Sequence, residues 1–235
     1  MKRPSAFLAV VLAGAALAGC KPTDQSTAQA TQGEVSQSVR QANAALAASV
    51  GLASPLSMDR ARRGFIAAPT GQIKDAGGNV IWDFDAFSFV KGEAPATVNP
   101  SLWRQATLNN QVGLFKVSDR IWQLRGFDLA NMTLVEGKTG WIVIDTLTAR
   151  ETSQAALAFA RKHLGDKPIS AIVFTHSHAD HFGGVLGIIT PEEVKARNIP
   201  VVAPVGFMEE ATSENLMVGS AMIRRSLYMY GDQLP

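Results

Sequence analysis

Apolar and polar residues alternate with different periods along this chain, and each change of period marks an element. Val35, Val39, Ala42, Leu46 and Val50 recur at helical spacing, which predicts a helix with one apolar face packed on the main domain. Ile81 to Phe87 alternates with period two and predicts a strand or hairpin. From Val112 to Asp145 the pattern predicts three strands with tight turns. The first is Leu114 to Val117 running on to Arg120 to Leu124, the second Met132 to Val135, the third Trp141 to Asp145. A hairpin turn at Glu136 to Gly140 joins the last two.

A helical period follows. Thr148 and Glu151 have capping-box spacing, and Ala156, Leu157, Ala160 and Leu164 form a buried stripe. Arg161, Lys162 and His163 occupy the last turn, where cations suit the helix dipole, so His163 reads as a helix-end residue and not a ligand. Gly165 closes the helix. Ile169 to Thr175 is a second apolar strand. Strand, helix and strand over this distance imply a parallel βαβ unit, and such sheets place their sites at the carboxyl ends of the strands. Thr190-Pro191-Glu192-Glu193 starts another helix, its glutamates serving as capping groups. Ile199 to Val205 reads as a short strand and the chain from Gly206 as mostly helix. The fold class is α/β (α+β).

At the carboxyl end of the Ile169 to Thr175 strand stand His176, Ser177, His178, Ala179, Asp180 and His181, a window holding three of the chain's 4 histidines. His176 and His178 are two apart, so at a strand end they point the same way and can grip one ion together. Asp180 and His181 lie past the turn and face a neighbouring position. Two adjacent divalent ions are the natural reading, with imidazole suiting Zn²⁺ and carboxylate accepting Zn²⁺, Mn²⁺ or Fe. Gly183 and Gly184 let the backbone pass close to the site without a Cβ clash. Asp145, at the end of the neighbouring strand, serves equally well as an orienting partner of a ligand histidine or as a turn cap.

Composition narrows the partners. With 235 residues, 46% of them hydrophobic, the chain holds one domain of ordinary size and a tail. Its formal net charge is +2, an excess that Lys2 and Arg3 alone supply. No further long basic run occurs, which excludes nucleic acid as a partner. Lys2 and Arg3 instead form a basic n-region before the apolar run Ala6 to Ala18, which is too short to span a bilayer. Leu17-Ala18-Gly19-Cys20 resembles the bacterial lipoprotein cleavage box. That resemblance implies a signal peptide over 1–19, lipidation of Cys20, and a lipid-anchored protein on the periplasmic side of the cell envelope; the alternative is an ordinary secretory signal and a protein secreted to the periplasm. Residues 21–33 are too polar to bury a core and read as a tether, so 20–57 comprises tether and N-terminal helix, and 58–235 the main domain. Cys20 is the only cysteine, so zinc would be held by nitrogen and oxygen donors.

His-x-His-x-Asp-His resembles the signature of the metallo-β-lactamase fold superfamily, whose members are αββα sandwiches. Asn99 to Gln105, Arg125-Gly126-Phe127-Asp128, Asn131 to Glu136, Ser213-Glu214-Asn215 and Tyr228-Met229-Tyr230-Gly231 look like the linear alkyl sulfatases of bacteria. The likeness runs from residue 60 to the last residue. It implies hydrolysis of long-chain alkyl sulfate esters to alcohol and inorganic sulfate, in a homodimer. His176 and His178 would hold one zinc, Asp180 and His181 the other, with a water between them as nucleophile and Asp180 as the catalytic candidate. The family completes its site with two acidic residues and a histidine further along, yet no histidine follows His181. Glu209, Glu210, Glu214 and Asp232 match none of those later motifs. The resemblance therefore implies the N-terminal part of a longer enzyme, with the first half of the sandwich and little activity or stability alone. A second reading is another hydrolase of the superfamily, a thioesterase, lactonase or lactamase. A third is a membrane-tethered metal-binding remnant.

Overall fold

The computed structural model describes residues 34–52 and 54–230. Cys20, the 1–19 segment, the 21–33 tether and Asp232 lie outside the described residues. The chain runs through α1 (Gln37–Ser49), α2 (Leu56–Arg62), β1 (Phe65–Ala67), β2 (Gln72–Lys74), β3 (Val80–Asp83) and α3 (Pro100–Asn109). Strands β4 (Gly113–Ser118), β5 (Ile121–Arg125), β6 (Met132–Glu136) and β7 (Trp141–Ile144) follow, then α4 (Arg150–Leu164) and β8 (Ile169–Val173). Last come α5 (Ala179–Phe182), α6 (Pro191–Ala196), β9 (Val201–Val202), α7 (Phe207–Thr212) and α8 (Gly219–Tyr230).

Among the described residues one 7-stranded sheet, in the order β1-β4-β5-β6-β7-β8-β9, forms the frame of this mixed α/β fold. Hairpin connections keep β4 to β7 antiparallel, whereas the crossover through α4 makes β7 and β8 parallel, as a helical connection requires. Strand alternation then decides the layers. Met132, Leu134, Trp141, Val143 and Ile172 are fully buried and pack with Ala156, Leu157 and Ala160 of α4. Thr133, Val135, Ile142, Ile144 and Val173, on the other face, are only half-buried. The β2–β3 hairpin packs on α4, where Phe127 bridges Phe84 and Phe159 at centroid distances of 5.2 and 5.6 Å.

Several predicted elements shift. The long first strand is a hairpin, because Ser118-Asp119-Arg120 is a polar turn cluster and Lys116 Nζ meets Asp119 at 3.1 Å across it. The period-two run ends at Asp83, whose carboxylate accepts the Asp85 N–H at 2.8 Å and turns the chain. The Ile199 to Val205 strand shrinks to β9. Helix α4 begins at Arg150 with Ala149 at its N-cap, so Thr148 and Glu151 are not the capping pair. Thr152 replaces them, its hydroxyl accepting the Ala149 N–H at 3.3 Å. The apolar stripe of α1 is not buried: Val39 and Val50 are 42% and 36% exposed. The helix meets the fold through its small, polar side instead, with Asn43 donating to the Ala96 carbonyl at 3.0 Å. The α6 start matches its prediction, since Thr190 and Glu193 cap each other's N–H at 3.2 and 3.0 Å.

Candidate metal centre

The loop that leaves β7 is strained, and that strain aims its side chains. Asp145 (φ 57°) and Leu147 (φ 63°) are both left-handed, a conformation unusual for residues with a Cβ and costly for a buried leucine. What fixes them is close packing from the other side of the site. A Cβ on Gly183 would lie 2.4 Å from the Thr148 carbonyl oxygen, and one on Gly184 would lie 2.2 Å from that of Thr146. Neither glycine has positive φ, so the requirement here is space and not backbone freedom. The Gly184 N–H donates to Leu147 at 2.9 Å, and the Thr146 N–H to the His181 carbonyl at 2.7 Å. The histidine segment and the β7–α4 loop are thus fastened together.

Asp145 is the hub of that fastening, at 6% exposure. One carboxylate oxygen accepts the Thr175 N–H at 2.8 Å. The other accepts the Thr175 hydroxyl at 2.8 Å and His181 Nδ1 at 2.7 Å. This pattern sets tautomers. The Thr175 hydroxyl spends its single proton on Asp145, so it accepts from His176 Nδ1, 2.9 Å away. His176 and His181 therefore both carry a proton on Nδ1 and a lone pair on Nε2.

The free nitrogens converge. His176 Nε2 lies 3.0 Å from His178 Nδ1, and His181 Nε2 lies 3.5 Å from an Asp180 oxygen. The His176 ring centroid is 4.0 Å from that of His181 and 4.6 Å from that of His178. Two ligands of one tetrahedral zinc stand about 3.4 Å apart, so each pair spans one ion to within about half an ångström. The His181–Asp180 pair sets acceptor against acceptor, an arrangement that calls for a cation between them. Among the described residues no group of three or more His, Cys, Asp or Glu side chains closes on one point. The donors form two pairs.

All four predicted ligand residues and Asp145 are gathered here, while the His163 ring lies tilted against Phe159, 4.6 Å between centroids, on α4. A cavity of about 740 Å³ lies between α1, α3 and the 92–98 loop. None of the cluster residues lines it, so it is not where the chemistry sits. Sequence reasoning left two residues out of the site. Glu214 reaches His178 Nε2 at 3.4 Å from a π-helical turn, Ser213–Met217, between α7 and α8. Asp128 accepts the Thr148 N–H at 2.8 Å and the Thr152 hydroxyl at 2.6 Å, anchoring the loop that carries Asp145. Both belong to motifs noted in the sequence, but nothing local tells which partner each one meets.

Residues 125–227 match the family model described as the metallo-beta-lactamase superfamily. A linear primary-alkylsulfatase of Pseudomonas sp is 48% identical over 90% of this chain and 32% of its own length. An (R)-specific secondary-alkylsulfatase of Pseudomonas sp is 52% identical over 75% of the chain and 27% of its own. Among solved structures, the stereoselective inverting sec-alkylsulfatase Pisa1 from Pseudomonas sp. superposes with a TM-score of 0.78 at 49% identity. That match covers 82% of this chain and 31% of the other. The chain thus spans about a third of the length of the curated relatives it matches.

Proposed function

The chain belongs to the metallo-beta-lactamase superfamily, beside its alkylsulfatases, and from that premise we propose that it supplies the metal-binding part of a zinc-dependent hydrolase of alkyl sulfate esters. Metal binding goes with the superfamily. Zinc is the ion that the donor set favours, with three imidazoles, one carboxylate and no cysteine among the described residues. The observation that carries the substrate class is the run of similarity over 75% to 90% of the chain to proteins named for alkyl sulfate cleavage.

His176 and His178 would hold one ion, and Asp180 and His181 the other. Bound zinc supplies Lewis acidity, offsetting sulfate charge and acidifying water. The chain's own residues do the positioning. Asp145 keeps the His181 proton on Nδ1 and so presents Nε2 to the metal, and the Thr175 hydroxyl does the same for His176. Gly183 and Gly184 hold the segment bearing Asp180 and His181 against the β7–α4 loop. Two protein donors per ion fill half of a tetrahedral shell, so the remaining positions fall to water or to groups outside the described residues. Turnover by this chain alone is accordingly proposed to be slow. A lipid anchor at Cys20 on the periplasmic side, and pairing into a homodimer, are parts of the same proposal. They rest on the Leu17 to Cys20 box and on the family resemblance respectively.

The test is release of inorganic sulfate from dodecyl sulfate, set beside a thioester, a lactone and a β-lactam. Slow turnover selective for the sulfate ester, restored by zinc and abolished by chelator, is the expected result. Preference for the thioester, lactone or lactam would replace the substrate class. Tight zinc binding with no turnover of any compound would leave a metal-binding remnant.

A further inference from the structure

Each imidazole of the cluster has one nitrogen turned inward and the other met from outside. Thr175 meets His176 Nδ1, Asp145 meets His181 Nδ1, and Glu214 faces His178 Nε2. We propose that Glu214 is a positioning residue, whose carboxylate takes up the His178 Nε2–H once a metal ion claims Nδ1 and so holds the ring with Nδ1 toward the space shared with His176 Nε2. The inference rests on the metal-hydrolase reading above for its purpose, but not for its geometry.

Several observations support it. His178 is the loosest ring of the three, with 57% of its side chain exposed against 23% for His181, so it has most to gain from an outside partner. Glu214 is only 29% exposed, unusual for a glutamate near a helix surface. It sits in the π-helical turn Ser213–Met217, a wide turn that re-aims side chains and occurs often at functional sites. The turn is held in place by aromatic packing. Phe207, at the start of α7, stacks on Phe174 at 5.6 Å and meets Phe182 edge-on at 5.3 Å. Those two rings flank the histidine segment, so the approach of Glu214 is set by the core and not by surface chance. The 3.4 Å contact is longer than the ~2.7–2.9 Å of a charge-assisted bond. It marks the carboxylate as a neighbour of Nε2 that is not hydrogen-bonded to it. Without metal, the His178 Nδ1–H donates to the His176 Nε2 lone pair 3.0 Å away. A metal ion between those two nitrogens would displace that proton to Nε2, the nitrogen that faces Glu214.

The experiment uses the whole 235-residue chain as wild type, Glu214→Ala and Glu214→Gln. The tautomer of His178 is read by two-bond ¹H–¹⁵N NMR on metal-free and on zinc-loaded protein, at a pH about two units above the ordinary imidazole pKa. Zinc affinity is read by competition with a chromophoric chelator. Wild type is expected to carry the His178 proton on Nδ1 without zinc and on Nε2 with it. In Glu214→Ala the zinc-loaded Nε2–H should lose its downfield, carboxylate-bonded shift, and zinc affinity should fall about 10- to 100-fold. Glu214→Gln keeps an acceptor oxygen, so it should restore most of that shift and of the affinity, which a merely structural role would not predict. An unchanged Nε2–H shift with unchanged affinity in Glu214→Ala overturns the inference. Failure of wild type to bind zinc overturns the hydrolase reading, whereas zinc binding that ignores Glu214 overturns the inference alone.

Discussion

A single carboxylate, that of Asp145, both closes a turn and orients a ring, and the two jobs are separable by mutation. Its oxygens accept one backbone N–H, one hydroxyl and one imidazole N–H. Asparagine tolerates the left-handed backbone at this position nearly as well as aspartate, so Asp145→Asn leaves the turn intact. It removes one acceptor oxygen and the charge. Zinc affinity, measured by chelator competition, is expected to drop about 10- to 100-fold with little change in melting temperature. Equal loss of stability and affinity would assign Asp145 to the turn alone. Gly184 makes the opposite case, a residue whose role is wholly steric. Its added Cβ would meet the Thr146 and Ala149 carbonyl oxygens at 2.2 and 2.6 Å, both of them backbone. Gly184→Ala should therefore destabilise the fold by about 2 kcal/mol or more, seen as a lower denaturant midpoint with an unchanged slope.

Helix α4 shows how an element is placed by a residue far from it in sequence. The Thr148 and Glu151 spacing suggested a local cap, yet the helix start is tied down by Asp128, from the loop after β5. Removing that carboxylate strands the backbone N–H groups of Thr148 and Ala130, while the Thr152 hydroxyl keeps the Ala149 carbonyl at 3.0 Å, so Asp128→Ala is expected to cost about 2–3 kcal/mol in chemical denaturation. A loss under half a kcal/mol would mean that water replaces it. The same contrast explains what the sequence could reveal. The βαβ unit and the gathering of His176, His178, Asp180 and His181 depend on spacing within a few residues, and such spacing is legible. Glu214 depends on a π turn and on rings at 174, 182 and 207, so its approach to His178 has no local signature. The α1 stripe was misjudged for a related reason. Helical periodicity reports which side is apolar, but not whether anything covers it, and Val39 and Val50 are open.

At the scale of the molecule, the apolar surface of residues 201–230 contrasts with the closed core around α4. Val201 and Val202, the whole of β9 at the sheet edge, are 47% and 51% exposed, and the edge is short and uncharged. Met208, Leu216, Ile223 and Tyr228 continue the exposure along α7, the π turn and α8. No residue of α7 or α8 is buried. Such area on a free protein marks a surface that associates. The curated relatives are about three times as long as this chain, so they possess sequence enough to cover it. The 235-residue chain by itself is therefore expected to bind a hydrophobic dye such as anilinonaphthalene sulfonate and to self-associate as its concentration rises. Light scattering across a dilution series checks the second effect. Replacing Val202 and Ile223 together by lysine should suppress both without lowering the melting temperature, because neither side chain contributes to the core. A chain that stays monomeric and dye-free before any substitution would show that these side chains are already satisfied by one another. The sheet edge would then be a finished surface and not a docking face.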